Sequence, residues 1–270
     1  MEYLTLNTGA KMPIVGLGTW NLSGQECVDT VSKAIDNGYQ LIDTAQMYDN
    51  EREVGFAIAN SKMNRESLFI TTKLDSRSNS YQKAKDRINQ SLSNLNVDYL
   101  DLLLIHEPYS SDVEIYRAME EALKEGKIKA IGLSNYNKNN YQRILENCKI
   151  IPAVNQIESH LFFQRQSFQN FLSTQGTLIQ AWSPLSQNKV DLTKISEISS
   201  IADHYSKTPA QVVLRFMIQR GISVIPKTRR EERLIENISL FDFELSKSEM
   251  ETLFQLDKDE TLFKWTIGLN

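Results

Sequence analysis

Eight short β-rich segments alternate with amphipathic stretches along the 270-residue chain. The stretches between them place apolar residues at the three- and four-residue spacing of a helix, as in 27–35, 84–95 and 115–123. Regular alternation of strand and helix favours parallel strands joined by helical crossovers, and eight such units predict a closed (β/α)₈ TIM barrel. The β-rich segments lie near residues 14–20, 39–44, 68–73, 100–106, 128–133, 152–157, 177–182 and 222–227.

Two features lie outside this alternation. Residues 3–6 and 11–14 flank a turn containing Gly9, which predicts an N-terminal β-hairpin. Further helical pattern near 192–220 and 246–257 exceeds a minimal barrel and predicts extra helices at its rim or bottom. Because no long linker or low-complexity segment interrupts the pattern, we interpret residues 1–270 as a single domain.

An open doubly wound sheet is the rival fold. It normally carries a glycine-rich phosphate loop after its first strand. The nearest match here begins Gly16-Leu-Gly18 and lacks the third glycine of that motif, so the sequence favours the barrel.

Composition restricts the function classes. A net charge of −4 gives no basic surface typical of nucleic-acid binding or of an anionic membrane, and no apolar run approaches the roughly 18 residues of a membrane span. The cysteines Cys27 and Cys148 form no disulfide framework, and no secretory signal precedes the hairpin. We therefore predict a cytoplasmic protein. Its three histidines contain no HxH pair, so we also predict no catalytic metal.

Four polar residues lie at or just after the ends of three consecutive predicted strands: Asp43, Tyr48, Lys73 and His106. The carboxyl ends of barrel strands surround one shared mouth, so these side chains are expected to meet there. A phenol has a pKa of about 10, and a nearby ammonium lowers it. The set therefore suits proton transfer, with Lys73 tuning Tyr48, Asp43 holding Lys73, and His106 donating to a substrate oxygen.

Other interpretations of the same residues stay open. Taken singly, each could be a helix cap, a structural salt bridge, rim packing or a buried core histidine. Lys73 could also act as the Schiff-base nucleophile of an aldolase.

Beyond these residues, the chain resembles the aldo-keto reductases over about residues 5–257. The segments that carry the resemblance occur in family order and include Ile42-Asp43-Thr-Ala-Gln-Met-Tyr48, Thr72-Lys73-Leu74, Ile105-His106-Glu-Pro108, residues 126–136, Asn155-Gln156-Ile-Glu158, Ala181-Trp182-Ser183-Pro184-Leu185 and Ile225-Pro226-Lys227-Thr228. The resemblance implies an NADPH-dependent oxidoreductase that reduces aldehydes and ketones. Tyr48 would be the general acid, and Asp43, Lys73 and His106 would support it.

The resemblance also implies a cofactor site without a Rossmann domain. Ser134, Asn135 and Gln156 would contact the nicotinamide carboxamide, and Trp182 would stack on the nicotinamide ring. The loop carrying Ser183, Leu185 and Gln187 would line the pyrophosphate. Lys227, Thr228, Arg229 and Arg233 would bind the 2′-phosphate, while Glu236 and Asn237 would contact adenine. Because a 2′-phosphate needs charge-assisted donors, this basic segment favours NADPH over NADH.

Three positions depart from the family pattern. Glu107 stands where many members have tryptophan, and Asp49 and Ser186 stand where glycine is common. Trp20, Glu107 and Tyr109 are candidate walls of the substrate pocket. The segment between Pro108 and Asp112 is short, and the chain ends soon after Trp265, which predicts an open pocket that accepts many aldehydes.

A second function class is a non-catalytic, cofactor-binding barrel that regulates a partner. The intact group of four argues against it, because a binding protein has no use for a tuned tyrosine. The family resemblance also makes a monomer the expected state, with a small carbonyl compound as the substrate.

Overall fold

Eight parallel strands form the centre of the molecule in the computed structural model, which describes residues 1–266. Each strand pairs with its neighbour in chain order, and a parallel bridge between Val15 and Val224 joins the last strand to the first. This confirms the predicted barrel. The strands are β3 (Gly16–Gly18), β4 (Leu41–Asp43), β5 (Phe69–Leu74), β6 (Leu102–Ile105), β7 (Ile131–Ser134), β8 (Val154–Glu158), β9 (Leu178–Trp182) and β10 (Ser223–Val224).

Helices follow every strand of the barrel. Their buried residues recur at helical spacing, as in the first helix, where Cys27, Val31 and Ala34 face inward. None of the helices in residues 1–266 combines the length and the apolar character needed to cross a membrane. The helices are α1 (Gly24–Asp36), α2 (Glu51–Ala59), α3 (Tyr81–Leu95), α4 (Asp112–Lys124), α5 (Lys138–Asn147), α6 (Gln166–Thr174), α7 (Ser196–Tyr205), α8 (Pro209–Gln219), α9 (Glu231–Ile238) and α10 (Lys247–Phe254).

The extra helices lie where the sequence predicts them. Two helices, α7 and α8, connect β9 to β10, and α10 follows α9 and packs against α7. Capping boxes start α8 at Thr208 with Gln211 and α10 at Ser246 with Glu249, so short polar signals fix where both helices begin.

The N-terminal hairpin closes the bottom of the barrel. Its strands, β1 (Tyr3–Thr5) and β2 (Lys11–Pro13), pair antiparallel around the predicted turn. The hairpin residues Leu6 and Met12 are buried in one cluster with residues at the amino ends of barrel strands, including Leu41, Phe69 and Leu102. Because this end is filled with apolar side chains, the polar strand ends can meet only at the opposite mouth.

One glycine allows α2 and α3 to approach closely. A Cβ atom on Gly55 would lie 2.5 Å from the backbone oxygen of Leu95, the last residue of α3. Gly-to-Ala changes in exposed helix interiors normally stabilise by about 1 kcal/mol. Here backbone has to move to admit one methyl group, so the sign reverses.

We expect Gly55→Ala to lower the free energy of unfolding by about 1–3 kcal/mol because of this overlap. Urea denaturation followed by circular dichroism measures the change. The control is Phe56→Ala, which alters the exposed neighbour on the same helix and should change stability by about 0.5 kcal/mol or less. A stabilised Gly55→Ala protein would contradict the close packing of α2 on α3.

Candidate active site

The four candidate catalytic residues come together at the carboxyl ends of three adjacent strands. Asp43 ends β4, Lys73 lies one residue before the end of β5, and His106 follows β6 directly. Tyr48 lies in the short 3₁₀ turn Gln46–Tyr48 that follows β4. Lys73 bonds both Asp43 and Tyr48, and the rings of Tyr48 and His106 lie 5.5 Å apart in an edge-to-face arrangement. One cluster therefore contains all four.

The ammonium of Lys73 is completely buried and fully bonded. Its Nζ donates to Asp43 Oδ1 at 2.5 Å, to the Thr44 backbone oxygen at 3.0 Å and to Tyr48 Oη at 3.2 Å. An ammonium has three donors, so no N–H is left over. Burial alone lowers the pKa of Lys73, but Asp43 and Tyr48 outweigh it and the net direction is upward. Lys73 is thus a fixed cation, unlike the neutral amine that a Schiff-base nucleophile requires.

A buried chain of amides holds Asp43 from its other side. Gln156 Nε2 donates to Asp43 Oδ2 and to Gln180 Oε1, both at 2.6 Å, and Gln180 Nε2 donates to Ser223 Oγ at 3.2 Å. This series of hydrogen bonds crosses the barrel interior from Asp43 on β4 to Ser223 on β10. The sequence analysis did not identify Gln180 as a site residue. A glutamine inside the otherwise apolar strand Leu178–Trp182 could have indicated it.

The pKa of Tyr48 is raised overall, whereas the sequence analysis expected Lys73 to lower it. Burial raises the pKa of the phenol, and the positive charge of Lys73 lowers it by less, so the net direction is upward. Asp43 and Glu107 add to the rise through their negative charges. The Lys73 ammonium therefore lowers the pKa of Tyr48, as expected, but burial raises it by more. At neutral pH the phenol holds its proton, which is the form a general acid requires.

His106 is a neutral imidazole in the fold. Burial, followed by the nearby Lys73 cation, lowers the pKa of His106 from 6.5 to about 3. Its backbone is fixed on both sides, because its N–H donates to the Leu74 oxygen at 2.9 Å and its oxygen accepts from Asn135 Nδ2 at 3.1 Å. A neutral ring carries one N–H, which can donate to an oxygen placed beside Tyr48.

The residues expected at the nicotinamide carboxamide are buried and already bonded within the protein. Asn135 donates to the His106 oxygen and to Ser134 Oγ, and its Oδ1 accepts from Trp182 Nε1 at 2.8 Å. Gln156 uses its amide nitrogen on Asp43 and Gln180, which leaves its oxygen free to accept from a ligand. The sequence did not predict the partners His106, Trp182, Asp43 and Gln180, because these bonds join residues far apart in the chain.

Trp182 has a neighbour that the sequence did not predict. Its ring stacks on Trp265 with centroids 5.5 Å apart and an interplanar angle of 14°, and Phe263 lies edge-on at 5.1 Å. Trp265 thereby covers one face of the indole. A nicotinamide ring could stack on the other face, or on this one once Trp265 had moved.

The segment that carries Trp265 is anchored on a buried carboxylate. Glu158, at the end of β8, accepts from the Leu262 backbone N–H at 2.9 Å and from Thr261 Oγ1 at 2.5 Å. The described part of the C-terminus, through Thr266, packs onto Trp182 through the ring of Trp265. Residues 267–270 lie outside the described part of the chain, so the open pocket stays a prediction.

The loop after β9 has an unusual backbone. Ser183, Ser186, Gln187 and Asn188 all have positive φ, between 48° and 59°. Left-handed backbone costs a residue with a Cβ about 1–2 kcal/mol, a cost that glycine would avoid at position 186. Within the loop Gln187 Nε2 donates to Ser183 Oγ at 2.8 Å, and Leu185 is partly buried against the core. Asp49, the other residue that the sequence analysis noted at a position where glycine is expected, likewise has a positive φ, of 52°.

The basic segment lies between β10 and α9 and continues into the helix. Arg229 is held by Glu26 at 3.1 Å and by the Asn21 backbone oxygen at 3.0 Å. Arg233 is exposed and makes no ion pair within the described chain, whereas Lys227 and Thr228 are more buried. Within the described residues, Lys227, Arg230 and Arg233 have no ion pair and are available to an anionic ligand.

The two residues expected at adenine lie on the same helix. Asn237 is buried, and Glu236 accepts from Thr208 Oγ1 at 2.5 Å. That bond joins α9 to the start of α8, so Glu236 has a structural partner in addition to any ligand.

The three candidate pocket walls differ in exposure. Trp20 follows β3 and is 54% exposed, while Glu107 and Tyr109 follow β6 and are partly buried. The segment after His106 is indeed short, because α4 begins at Asp112.

Comparison with known proteins places the chain in a family. The Aldo/keto reductase family model matches residues 14–258. Glyoxal reductase of Bacillus subtilis is 40% identical over 261 residues, covering 96% of this chain and 94% of that protein, and methylglyoxal reductase of Escherichia coli K12 is 38% identical with the same coverage. The protein belongs to the aldo-keto reductases and is an oxidoreductase of that family.

Solved structures agree with this assignment. An aldo-keto reductase from a Medee basin deep-sea metagenome library has a TM-score of 0.94 at 38% identity, covering 97% of each chain. A Bombyx mori aldo-keto reductase solved in complex with NADP has a TM-score of 0.90 at 32% identity, covering 97% of this chain and 94% of its own.

The neutral state of His106 predicts a pH dependence of stability. Its pKa in the fold, about 3, lies below the unfolded value of 6.5, so the unfolded chain binds the extra proton between these values. Stability from this group is complete above pH 6.5 and is lost as the pH falls, by at most about 1.4 kcal/mol per pH unit.

His106→Gln removes that contribution. Unfolding free energies measured by urea between pH 4 and 7 should therefore fall less steeply on acidification in the variant than in the wild type. Parallel curves would mean that His106 can accept a proton in the folded protein.

Proposed function

We propose that this protein reduces aldehydes and ketones to alcohols with NADPH, using Tyr48 as the general acid. The observation that carries the proposal is the bonded cluster of Asp43, Lys73 and Tyr48 beside a neutral His106. It joins a protonated phenol, a fixed cation and an uncharged N–H donor at one point. That combination suits protonation of a carbonyl oxygen as negative charge develops on it.

Each residue has a separate task in this proposal. The Tyr48 phenol donates its proton to the carbonyl oxygen, and the Lys73 ammonium, 3.2 Å away, stabilises the phenolate left behind. Asp43 keeps Lys73 charged and oriented. The His106 imidazole donates its N–H to the same carbonyl oxygen and so fixes which way the carbonyl faces. When bound, NADPH supplies the hydride that is added to the carbonyl carbon.

The chain has groups that fit such a cofactor. The free oxygen of Gln156, together with Ser134 and Asn135, would meet the carboxamide, and Trp182 offers a ring face to the nicotinamide. The left-handed loop with Ser183, Leu185 and Gln187 would lie along the pyrophosphate. Lys227, Thr228 and Arg233 would hold the 2′-phosphate with support from Arg229, and Glu236 and Asn237 would meet adenine.

The names of the relatives suggest the substrate range. Glyoxal and methylglyoxal reductases are similar to this chain over nearly all of it. We propose small aldehydes and dicarbonyls as substrates. The cytoplasmic location, the monomeric state and the absence of a catalytic metal stay predictions from the sequence.

The role of Tyr48 is tested with Tyr48→Phe. We expect NADPH oxidation, followed at 340 nm with methylglyoxal and aromatic aldehydes, to fall by at least 100-fold, which is the lower end of general-acid contributions of roughly 10²–10⁴-fold. NADPH binding, followed by tryptophan fluorescence, should persist because the phenol is not among the proposed cofactor contacts. The control Tyr3→Phe removes an exposed hydroxyl from the hairpin at the other end of the barrel.

Near-normal turnover by Tyr48→Phe would overturn the role of Tyr48. A wild-type protein that binds NADPH but turns over no carbonyl would instead support the regulatory barrel.

The preference for NADPH is tested with Arg233→Ala. Losing a charge-assisted bond to the 2′-phosphate should weaken NADPH binding by about 10- to 100-fold and leave NADH binding nearly unchanged. Calorimetric titration of both cofactors measures this, with Arg117→Ala, an exposed arginine of α4, as the matched control. Equal weakening of both cofactors would refute the phosphate contact.

A further inference from the structure

Glu107 places a carboxylate directly after His106 at the mouth of the barrel. The side chain is partly buried, and within residues 1–266 it makes no ion pair and no hydrogen bond. Burial alone raises the pKa of Glu107, because no neighbouring cation opposes it. A partly buried charge without a partner costs stability. No hydrogen bond or ion pair within residues 1–266 therefore gives Glu107 a structural role.

Three cations that belong to β5, to the loop after it and to α3 are paired with other carboxylates. Lys73 is paired with Asp43, and both Arg77 and Arg87 are paired with the buried Asp75. Glu107 is thus a carboxylate with no paired cation within residues 1–266.

The charge of Glu107 reaches the reacting group. Its negative charge raises the pKa of both Tyr48 and Tyr109. Glu107 also follows His106 directly in the chain, and the His106 ring lies 5.5 Å from the ring of Tyr48, the proposed proton donor. The carboxylate is therefore placed beside the site where a carbonyl compound would lie.

We propose that Glu107 selects the substrate by charge, disfavouring carbonyl compounds that carry a carboxylate or phosphate and favouring uncharged and cationic ones. The inference rests on the proposed function, since it names the substrate class of that same site. Two unit charges several ångströms apart at a partly buried site repel by an amount that corresponds to roughly tenfold in kcat/KM. A quaternary ammonium on the substrate should gain by a similar factor.

The test compares pairs of substrates that differ in charge. We would measure kcat/KM for 4-formylbenzoate against its methyl ester, for glyoxylate against methylglyoxal, and for (4-formylphenyl)trimethylammonium against 4-tert-butylbenzaldehyde. The variant is Glu107→Gln, which keeps shape and removes charge. Intrinsic aldehyde reactivity, and any general effect on Tyr48, cancel when the ratio within each pair is compared between wild type and variant.

We expect Glu107→Gln to raise the anion-to-neutral ratio by about tenfold and to lower the cation-to-neutral ratio similarly. The matched control is Glu146→Gln, which removes one charge from the exposed surface near the end of α5 and should leave every ratio unchanged. Unchanged ratios in Glu107→Gln, or a wild-type preference for the anionic partners, would overturn the proposal.

A binding measurement separates this inference from the proposed function. With NADP⁺ present, calorimetric titration would compare benzoate with benzamide as uncatalysed ligands. Glu107→Gln should strengthen benzoate binding about tenfold relative to benzamide, whether or not any aldehyde is reduced. Absence of turnover with this shift intact would count against the reductase alone, while absence of the shift would count against the role of Glu107.

Discussion

The Lys73 ammonium is buried without any exposed surface, and it is the interaction on which the rest of the site depends. Taking such a charge out of water is costly unless its donors are all satisfied. The two side-chain acceptors, Asp43 and Tyr48, and the backbone oxygen of Thr44 meet that requirement. The acceptors lie on β4 and in the turn after it, whereas the ammonium belongs to β5. The positions of the candidate catalytic groups therefore depend on how these two strands of the barrel pair.

Burial then sets the protonation states around that cation. It keeps the phenol of Tyr48 protonated and the ring of His106 neutral, while the Asp43 pair keeps Lys73 charged. The proposed chemistry needs this combination of acid, cation and neutral donor. Glu107 adds a negative charge that has no paired cation within the described chain, and for that reason we connect it with substrate choice.

The sequence predicted the elements that local patterns control. Alternating strand and helix periodicity located the barrel, and polar residues at apolar strand ends identified the candidate catalytic group, which the structure brings into one cluster. It did not predict that burial would outweigh Lys73 at Tyr48, because burial depends on neighbours from the whole barrel. The role of Gln180 was not predicted for a related reason, since its partners Gln156 and Ser223 lie far away in the chain.

By itself, then, the sequence determined which residue types stand at the strand ends and which family they resemble, because periodicity and motifs are local properties. Only the tertiary structure decided what those residues touch. It showed that Asn135 bonds Trp182, that Trp265 covers the ring of Trp182, and that Glu107 has no cation beside it within the described chain. Such contacts arise when distant segments fold against one another, and burial then fixes their charges.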